Sequence, residues 1–262
     1  MPLGTHLPSL ACGRRRAPHA RSRIRRVTFE AQFYPDEYFE NLHTVTRFAA
    51  PPRKFRERDR DILRLADASD DKVILDLGTA RGEVCFLLAP HAQEVIGIDA
   101  SPKALALAEA GRKRRALSNV RFVQGDVATL EPIPAGSVDV AGAFDLLEHI
   151  DDSTVRQMLD ALRRVLKKGG VLAVYTPNRQ HYVERLKAHD FILKQFPEHI
   201  AVRRPREIER LLVEGGWRVT ELTYSTSPFP GVRWIEKLLW WVPVVGQFFR
   251  YRILLKAEPG PR

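Results

Sequence analysis

The sequence has few cysteines and no long apolar run. Its two cysteines, Cys12 and Cys85, form neither a disulfide framework nor a metal-ligand spacing, which favours a reducing compartment. No stretch reaches the roughly 18 to 20 apolar residues of a membrane span. The longest uncharged run near the C-terminus, residues 238–249, is broken by Pro243 and Gly246. We therefore predict a cytoplasmic protein without a membrane-spanning helix.

Acidic residues are absent from the first 29 residues, which carry seven arginines and no lysine. The formal charge of the chain is +10, but residues 30–262 hold 35 basic against 32 acidic side chains. Because only about +3 remains on this larger part, charge argues against nucleic acid as its partner. The first residues also lack the apolar core of a secretory signal. We predict a disordered basic tail, or a misassigned start, over residues 1–30.

Beyond Asp71 the sequence alternates short β-branched runs with helical stretches, which is typical of βαβ units and a parallel sheet. Capping residues at Ser101 and Pro102 open one of the helices, and Gly169 and Gly170 are expected to close another. The predicted strands are residues 73–77, 94–98, 120–124, 138–143, 171–175, 217–224 and 251–257. The predicted helices are residues 82–88, 102–117, 153–166 and 205–213. These elements predict a doubly wound α/β domain.

Composition divides the chain into three parts. Residues 31–69 are mixed, aromatic and charged, with a helix-like stretch at 56–66, and predict an N-terminal helical cap after the tail. Residues 70–262 are predicted to form the main domain. It comprises a core at residues 70–176, a loop or lid over the active site at 177–215, and the last strands at 216–262 with an apolar insertion at 234–249.

A small-residue turn, GTARG at residues 78–82, follows the first predicted strand. Such a turn lets a ligand approach the backbone N–H groups at a helix start, although tight turns in many α/β proteins look alike. Asp99 ends the second strand about 20 residues later, where a carboxylate can accept hydrogen bonds from ribose hydroxyls. A dinucleotide fingerprint counted from Gly78 requires glycines where this chain has Ala80 and Glu83, which disfavours a dehydrogenase.

Five motifs between residues 73 and 175 resemble the class I S-adenosylmethionine-dependent methyltransferases, in the order and at the spacing of that family. They are DLGTARG at 76–82, IDAS at 98–101, QGDV at 124–127, FDLLEHI at 144–150 and LKKGG at 166–170. The chain departs from the family at Ala80, where a glycine is usual. The resemblance implies S-adenosyl-L-methionine as the cofactor. It also implies a Rossmann-like, mostly parallel seven-stranded sheet with a C-terminal antiparallel hairpin.

The resemblance assigns roles to residues at the ends of the strands. It implies that the turn at residues 78–82 wraps the methionine moiety, that Asp99 holds the ribose, and that Asp126 reads the adenine edge. Asp145 would then lie beneath the methionine and the positive sulfonium. The predicted cofactor-binding residues are Asp76, Gly78, Thr79, Ala80, Gly82, Asp99, Ala100, Asp126, Val127, Phe144 and Asp145.

Methyl transfer is a displacement at carbon, so alignment of the reactants supplies much of the rate. If the acceptor is a hydroxyl, a base helps, and we predict His149 for this role beside Glu148. A purely structural role for this pair is the alternative. Asp145, Glu148 and His149 also resemble the metal cluster of ubiquinone-pathway O-methyltransferases and small-RNA 2′-O-methyltransferases, to which His199 would add a ligand. The predicted site nevertheless contains no metal.

The predicted reaction is methyl transfer to an oxygen of a small molecule, which could be lipid-linked or a glycan. The alternatives are an RNA 2′-O-methyltransferase with a divalent metal and a non-catalytic S-adenosylmethionine-binding scaffold, which Ala80 favours. Residues 234–252 combine tryptophans and phenylalanines with flanking cations. This mixture suits a peripheral membrane contact, and packing on the sheet or a dimer contact is the alternative.

Overall fold

Seven strands of the described residues form one mixed β-sheet. A computed structural model describes residues 52–188, 199–227 and 230–261. The strands are β1 (Val73–Leu77), β2 (Glu94–Asp99), β3 (Val120–Gln124), β4 (Val138–Phe144), β5 (Leu166–Pro177), β6 (Trp217–Ser225) and β7 (Arg252–Pro259). Their order is β3-β2-β1-β4-β5-β7-β6, with β1 to β5 parallel and β7 antiparallel to its neighbours. The predicted sheet and its C-terminal antiparallel hairpin are confirmed.

Helices pack against this sheet and bury its strands. Within the described residues they are α1 (Pro52–Ala66), α2 (Glu83–Leu88), α3 (Pro102–Arg114), α4 (Asp152–Val165), α5 (Tyr182–Ala188), α6 (Pro205–Glu214) and α7 (Pro230–Leu239). The buried side chains form two clusters, one containing Leu75 and the other Ile74. Because successive side chains of a strand point to opposite faces, the two clusters lie on the two faces of the sheet.

Helix α1 lies in the region predicted as the N-terminal cap. Its Ile62, Leu65 and Ala66 are fully buried in the cluster that contains Ile74, and the helix packs against β4, β5 and β7. The predicted tail at residues 1–30, and the rest of the cap before Pro52, lie outside the described residues. Packing of α1 against the middle of the sheet brings its polar side chains close to the strand ends.

One predicted helix end was wrong, and two glycines expected to close another helix lie in a strand. The helix predicted over residues 153–166 is α4, which ends at Val165, because Leu166 has extended backbone (φ −70°, ψ 140°) and pairs with Val138 as the start of β5. The register then shifts before Val140, so the two glycines belong to the irregular start of a strand. Helix α3 ends at Arg114 rather than 117, since Ala116 adopts a left-handed conformation with φ 51°.

The region predicted as a loop or lid contains a helix that its sequence pattern did not indicate. Helix α5 lies within it, after β5, and residues 189–198 fall outside the described part. The predicted apolar insertion folds as α7 followed by a 3₁₀ turn at Gly246–Phe249. Among the described residues, no helix combines the length and apolar character needed to cross a membrane.

Candidate active site

The carboxyl ends of β1 to β4 bring most of the predicted site residues to one edge of the sheet. In open α/β sheets this edge is where ligands bind. Backbone hydrogen bonds connect the segments that follow the strands. Thr79 N donates to Ile98 O at 3.0 Å, and Gly125 N donates to Asp99 O at 3.0 Å. The turn after β1, the end of β2 and the loop after β3 therefore form one continuous surface.

The turn after β1 contains three residues in the left-handed region. Gly78 has φ 68°, Ala80 has φ 47° and Gly82 has φ 78°. A Cβ at Gly78 would lie 2.8 Å from Leu146 Cδ1, so this position needs glycine for space as well as for conformation. Ala80 adopts the conformation that a glycine would adopt more easily, which accounts for glycine being usual there. The departure at Ala80 thus preserves the shape of the turn, with strain at that residue.

Asp99 holds the turn in place. Its Oδ2 accepts a hydrogen bond from Ala80 N at 2.8 Å, and its Oδ1 accepts one from Ser101 N at 2.9 Å, on the far side of Ala100. Burial raises the pKa of the Asp99 carboxyl, and the backbone donors oppose that rise. A carboxylate has about four acceptor positions, so it can accept further hydrogen bonds from ribose hydroxyls. The predicted ribose role of Asp99 stays a prediction that this geometry permits.

Asp76 is buried beneath the same turn. Cys85 Sγ donates a hydrogen bond to its Oδ2 at 3.6 Å, and the thiol also lies 3.2 Å from Thr79 Oγ1. Burial raises the pKa of Asp76 to about 7, against the lowering effect of these two hydrogen-bonding side chains. The carboxyl is therefore partly protonated near neutral pH. It supports the turn from inside the domain through Thr79 and Cys85.

Asp126 and Val127 follow β3 at the predicted adenine position. Asp126 Oδ1 accepts a hydrogen bond from Ala128 N at 2.8 Å, which is the geometry of a turn stabilised by its own aspartate. The Val127 side chain is buried, with 8% of its surface exposed. One carboxylate oxygen of Asp126 is thus engaged in the turn, and the adenine role assigned by resemblance is an additional prediction.

Asp145 follows the buried Phe144 at the end of β4 and is flanked by two arginines. Its Oδ2 accepts a hydrogen bond from Arg58 Nε at 2.9 Å, and its Oδ1 lies 3.1 Å from Arg252 Nη1. Burial alone would raise the pKa of Asp145, but Arg252 and Arg58 outweigh it and lower that pKa. The carboxylate predicted to face the sulfonium is therefore already neutralised by protein cations. Its backbone is also unusual for an aspartate, with φ 54°.

Glu148 lies on the 3₁₀ turn Leu147–His149, directly after β4. Its side chain is 2% exposed, and its Oε2 accepts a hydrogen bond from the Thr176 hydroxyl at 2.9 Å. Burial, and then the negative charge of Asp145, raise the pKa of Glu148 to about 8. The guanidinium of Arg252, whose Nη1 lies 3.9 Å from Glu148 Oε1, opposes this rise. The raised pKa makes Glu148 better suited to hydrogen bonding than to acting as a carboxylate base near neutral pH.

His149 faces His199, which lies 50 residues further along the chain. The two imidazole rings meet edge to face, with centroids 5.0 Å apart and planes at 82°. Burial, followed by the positive charge of His149 nearby, lowers the pKa of His199 to about 4. His199 is therefore neutral at physiological pH. A backbone hydrogen bond from Ala201 N to Glu148 O, at 3.0 Å, holds the segment that carries His199 against the 3₁₀ turn.

Glu148, His149 and His199 each offer one ligand atom, and these atoms all lie within 4.8 Å of one another. One carboxylate oxygen and two imidazole nitrogens suit borderline divalent ions such as Zn²⁺, Fe²⁺ or Mn²⁺. Asp145, which the resemblance had grouped with them, is held instead by Arg58 and Arg252. Because the pKa of Glu148 is raised, an ion would compete with a proton for its carboxyl oxygen.

Comparison with known proteins decides the family. Residues 74–170 match the family model described as a methyltransferase domain. A probable S-adenosylmethionine-dependent methyltransferase of Mycolicibacterium smegmatis is 32% identical over 178 residues, which are 68% of this chain and 64% of that protein. Residues 74–170 are a class I S-adenosylmethionine-dependent methyltransferase domain. The predicted family, enzyme class and cofactor, S-adenosyl-L-methionine, are confirmed.

Other relatives show how far this likeness extends. A ubiquinone biosynthesis O-methyltransferase of Acinetobacter baylyi is 24% identical over 158 residues, 58% of this chain and 66% of that protein. The crystal structure of a methyltransferase from Aquifex aeolicus superposes with a TM-score of 0.58 at 16% identity, over 82% of this chain and 96% of the other. This structural match establishes the fold alone. The chain spans between about half and two thirds of the length of the curated relatives it matches.

Three side chains at this edge of the methyltransferase were missed by sequence reasoning. Arg58 and Arg252 bind Asp145, from 87 and 107 residues away along the chain. Arg203 is buried and binds the backbone oxygens of Leu147 and Ile150, the latter at 2.8 Å. No local pattern marks them, because arginines are frequent throughout this sequence. Only the pairing of distant segments shows which arginines reach the site.

Proposed function

We propose that this methyltransferase transfers a methyl group to an oxygen atom of a small molecule. The observation that carries the proposal is the His149–His199 pair, whose His149 directly follows β4, because an imidazole is the side chain suited to remove a proton from a hydroxyl near pH 7. The similarity to a relative named as a ubiquinone biosynthesis O-methyltransferase supports oxygen as the atom methylated.

The residues at this edge fit the cofactor of the family. Gly78 and Gly82 give the turn its left-handed backbone, Asp99 can accept ribose hydroxyls, and Asp126 is the residue that we assign to the adenine. When bound, S-adenosylmethionine supplies a methyl group on a sulfonium leaving group. Held by these residues, the cofactor would give its methyl group to the acceptor oxygen and leave as the demethylated thioether.

We assign His149 as the base that takes the acceptor proton, with Glu148 as a positioning residue. Glu148 is bonded to Thr176 and its backbone oxygen to Ala201, so the 3₁₀ turn that carries His149 is held on both sides. The proton of the hydroxyl passes to the imidazole in the transition state. The neutral His199 ring against His149 limits where the His149 ring can turn.

His149→Asn tests this role. We expect kcat to fall by about 10²- to 10⁴-fold, the range for loss of a general base, while the affinity for S-adenosylmethionine stays unchanged. The assay is transfer of a labelled methyl group to hydroxyl-bearing acceptors, with calorimetry for the cofactor. His91→Asn, at an exposed histidine of a separate 3₁₀ turn, is the matched control. An unchanged kcat in His149→Asn would show that His149 is not the base.

A second candidate, metal-assisted methyl transfer of the kind proposed for RNA 2′-O-methyltransferases, is favoured by the Glu148, His149 and His199 cluster. A bound divalent ion would acidify the acceptor hydroxyl. Metal analysis of the purified protein and assays after exhaustive chelation separate the two mechanisms. Full activity of a metal-free protein would leave the His149 base as the explanation, and activity restored only by a divalent ion would replace it.

A non-catalytic scaffold that binds the cofactor is the remaining alternative, since Ala80 is strained in the cofactor turn. Calorimetry with S-adenosylmethionine and with its demethylated product tests binding separately from turnover. Tight binding of both ligands without transfer to any acceptor fraction, whether lipid, glycan, small molecule or RNA, would support the scaffold.

A further inference from the structure

The exposed apolar side chains of the described residues concentrate on one stretch, the apolar segment, which we define as residues 230–249. It comprises α7, the chain after it and the 3₁₀ turn. Eight of the eleven exposed large apolar side chains lie between residues 232 and 245. Five of them expose more than half of their surface: Trp234 at 69%, Ile235 at 57%, Leu238 at 76%, Trp241 at 87% and Val244 at 78%. Contiguous apolar surface of this kind marks an interaction site.

The apolar segment presents no exposed acid. Its one acidic residue, Glu236, is fully buried on the inner side of α7, where it accepts hydrogen bonds from Ser227 N at 2.7 Å and from the Tyr182 hydroxyl at 3.1 Å. On the outer side, the ammonium of Lys237 lies 5.8 Å from the centre of the Trp234 ring. The segment thus combines exposed tryptophan and aliphatic side chains with a cation, the composition of a helix that lies in a lipid interface.

A cation-lined cavity adjoins the apolar segment. It has a volume of about 470 Å³, and Arg179, Arg185 and Arg204 line it together with Gln247 and Phe248 of the segment. Gln247 Nε2 donates to Val244 O at 2.8 Å, so the cavity wall is continuous with the exposed apolar surface. The cavity also contains Glu184, whose carboxylate is paired with Lys187 at 2.8 Å. Three arginines beside an apolar surface complement the phosphates of lipid headgroups.

We infer that the apolar segment docks this protein on an anionic lipid bilayer. Trp234, Leu238, Trp241 and Val244 enter the boundary between headgroups and acyl chains, and the arginine-lined cavity lies at headgroup level. A protein partner of neutral surface would use the apolar side chains but not the clustered arginines. If the proposed function holds, this docking also places the active site where a lipid-borne acceptor is presented.

Co-sedimentation with vesicles tests the inference. We expect the wild-type chain to bind vesicles of phosphatidylcholine mixed with phosphatidylglycerol, and to bind vesicles of phosphatidylcholine alone far less. The double variant Leu238→Ser, Trp241→Ser should lose at least about ten-fold in partition, because two large apolar side chains no longer enter the lipid. Val213→Ser is the matched control, since Val213 is 64% exposed on α6. Equal losses in the control and the double variant would overturn the inference.

Two further variants test how much charge contributes to vesicle binding. Lys237→Glu should weaken binding to the anionic vesicles by several-fold, whereas Lys168→Glu, at an exposed lysine near the start of β5, should leave it unchanged. Wild-type protein that stays in the supernatant with anionic vesicles would sink the proposal. Light scattering without vesicles gives a second test. A wild-type dimer that becomes a monomer in the double variant would also overturn the inference, because the apolar segment would then bind a second copy of the chain.

Calorimetry with S-adenosylmethionine on the same double variant distinguishes this inference from the proposed function. If the double variant loses vesicle binding but keeps its affinity for the cofactor, the substitutions have changed the apolar segment and not the cofactor site. If vesicle binding is intact but no acceptor is methylated, the proposed function fails and the docking surface stands.

Discussion

Ala80 shows how a single residue can depart from a family pattern without abolishing a turn. The residue has φ 47°, and its backbone N–H is bound by Asp99. A left-handed conformation costs a non-glycine residue about 1 to 2 kcal/mol. The hydrogen bond to Asp99, together with the glycines on either side, holds the backbone there in spite of this cost. The strain is local to one peptide of the predicted cofactor site.

We expect Ala80→Gly to stabilise the protein by up to about 1 kcal/mol, because glycine adopts this conformation without strain. Urea unfolding measures the change, and calorimetry reports whether cofactor affinity rises with it. Ala106→Gly is the control: Ala106 is exposed within α3, so the same substitution there should destabilise by about 1 kcal/mol. A loss of stability in Ala80→Gly would contradict the assignment of strain.

At the scale of elements, the segment after β4 depends on contacts from a later part of the chain. Residues 147–152 carry Glu148 and His149 and lead into α4. Arg203 reaches them from the segment just before α6 and binds Leu147 O, Ile150 O and the Asp152 carboxylate, the last at 2.8 Å. The buried guanidinium of Arg203 therefore donates hydrogen bonds to the backbone carbonyls of an irregular turn that has few hydrogen bonds of its own.

We expect Arg203→Met to destabilise the protein by roughly 2 to 4 kcal/mol, because two buried carbonyl groups lose their donors. Urea unfolding gives the stability, and methyl transfer with its cofactor affinity shows whether the 3₁₀ turn has loosened. Arg218→Met serves for comparison, since Arg218 is 72% exposed and pairs with Glu258 on the hairpin. Exposed pairs contribute about 1 kcal/mol or less. Similar losses in both variants would rule out a special role for Arg203.

At the scale of the whole molecule, two buried carboxyl groups make folding sensitive to pH. Burial raises the pKa of Asp76 to about 7 and, with the charge of Asp145, that of Glu148 to about 8. In the unfolded chain both groups lose their protons near their ordinary pKa values. Between about pH 4 and these raised values the folded state therefore holds more protons, so the free energy of unfolding falls as pH rises. His199, with its lowered pKa, opposes this trend below about pH 6.5.

Asp76→Asn isolates one of these contributions. The stability of the variant relative to wild type should increase as pH rises from about 4 to 7, by on the order of 4 kcal/mol for a shift of this size. Urea unfolding at a series of pH values measures this difference. Asp160→Asn, at an exposed position of α4, should leave the pH slope as in wild type. A difference between Asp76→Asn and wild type that does not vary with pH would contradict the raised pKa.

The parts that the sequence predicted are those set by neighbouring residues. The strands β1 and β3 begin and end where their β-branched runs do, and the Ser101 side chain caps α3 by accepting a hydrogen bond from Ala104 N at 3.2 Å, as expected. Helix α5 was not predicted, because its short polar sequence has little apolar periodicity of its own. The place of Gly169 and Gly170 in β5 was not predicted either, since pairing of Leu166 with Val138 starts the strand before them.

By itself, the sequence determined the family, the cofactor and the doubly wound sheet, because motif spacing and apolar periodicity are local properties that survive without knowledge of contacts. Tertiary structure alone decided the charges of the site. It places Arg58 and Arg252 on Asp145, raises the pKa of Glu148 by burying it, and sets His199 against His149. Long-range packing creates these pairs, and burial and proximity, which shift the pKa values, exist only once the chain has folded.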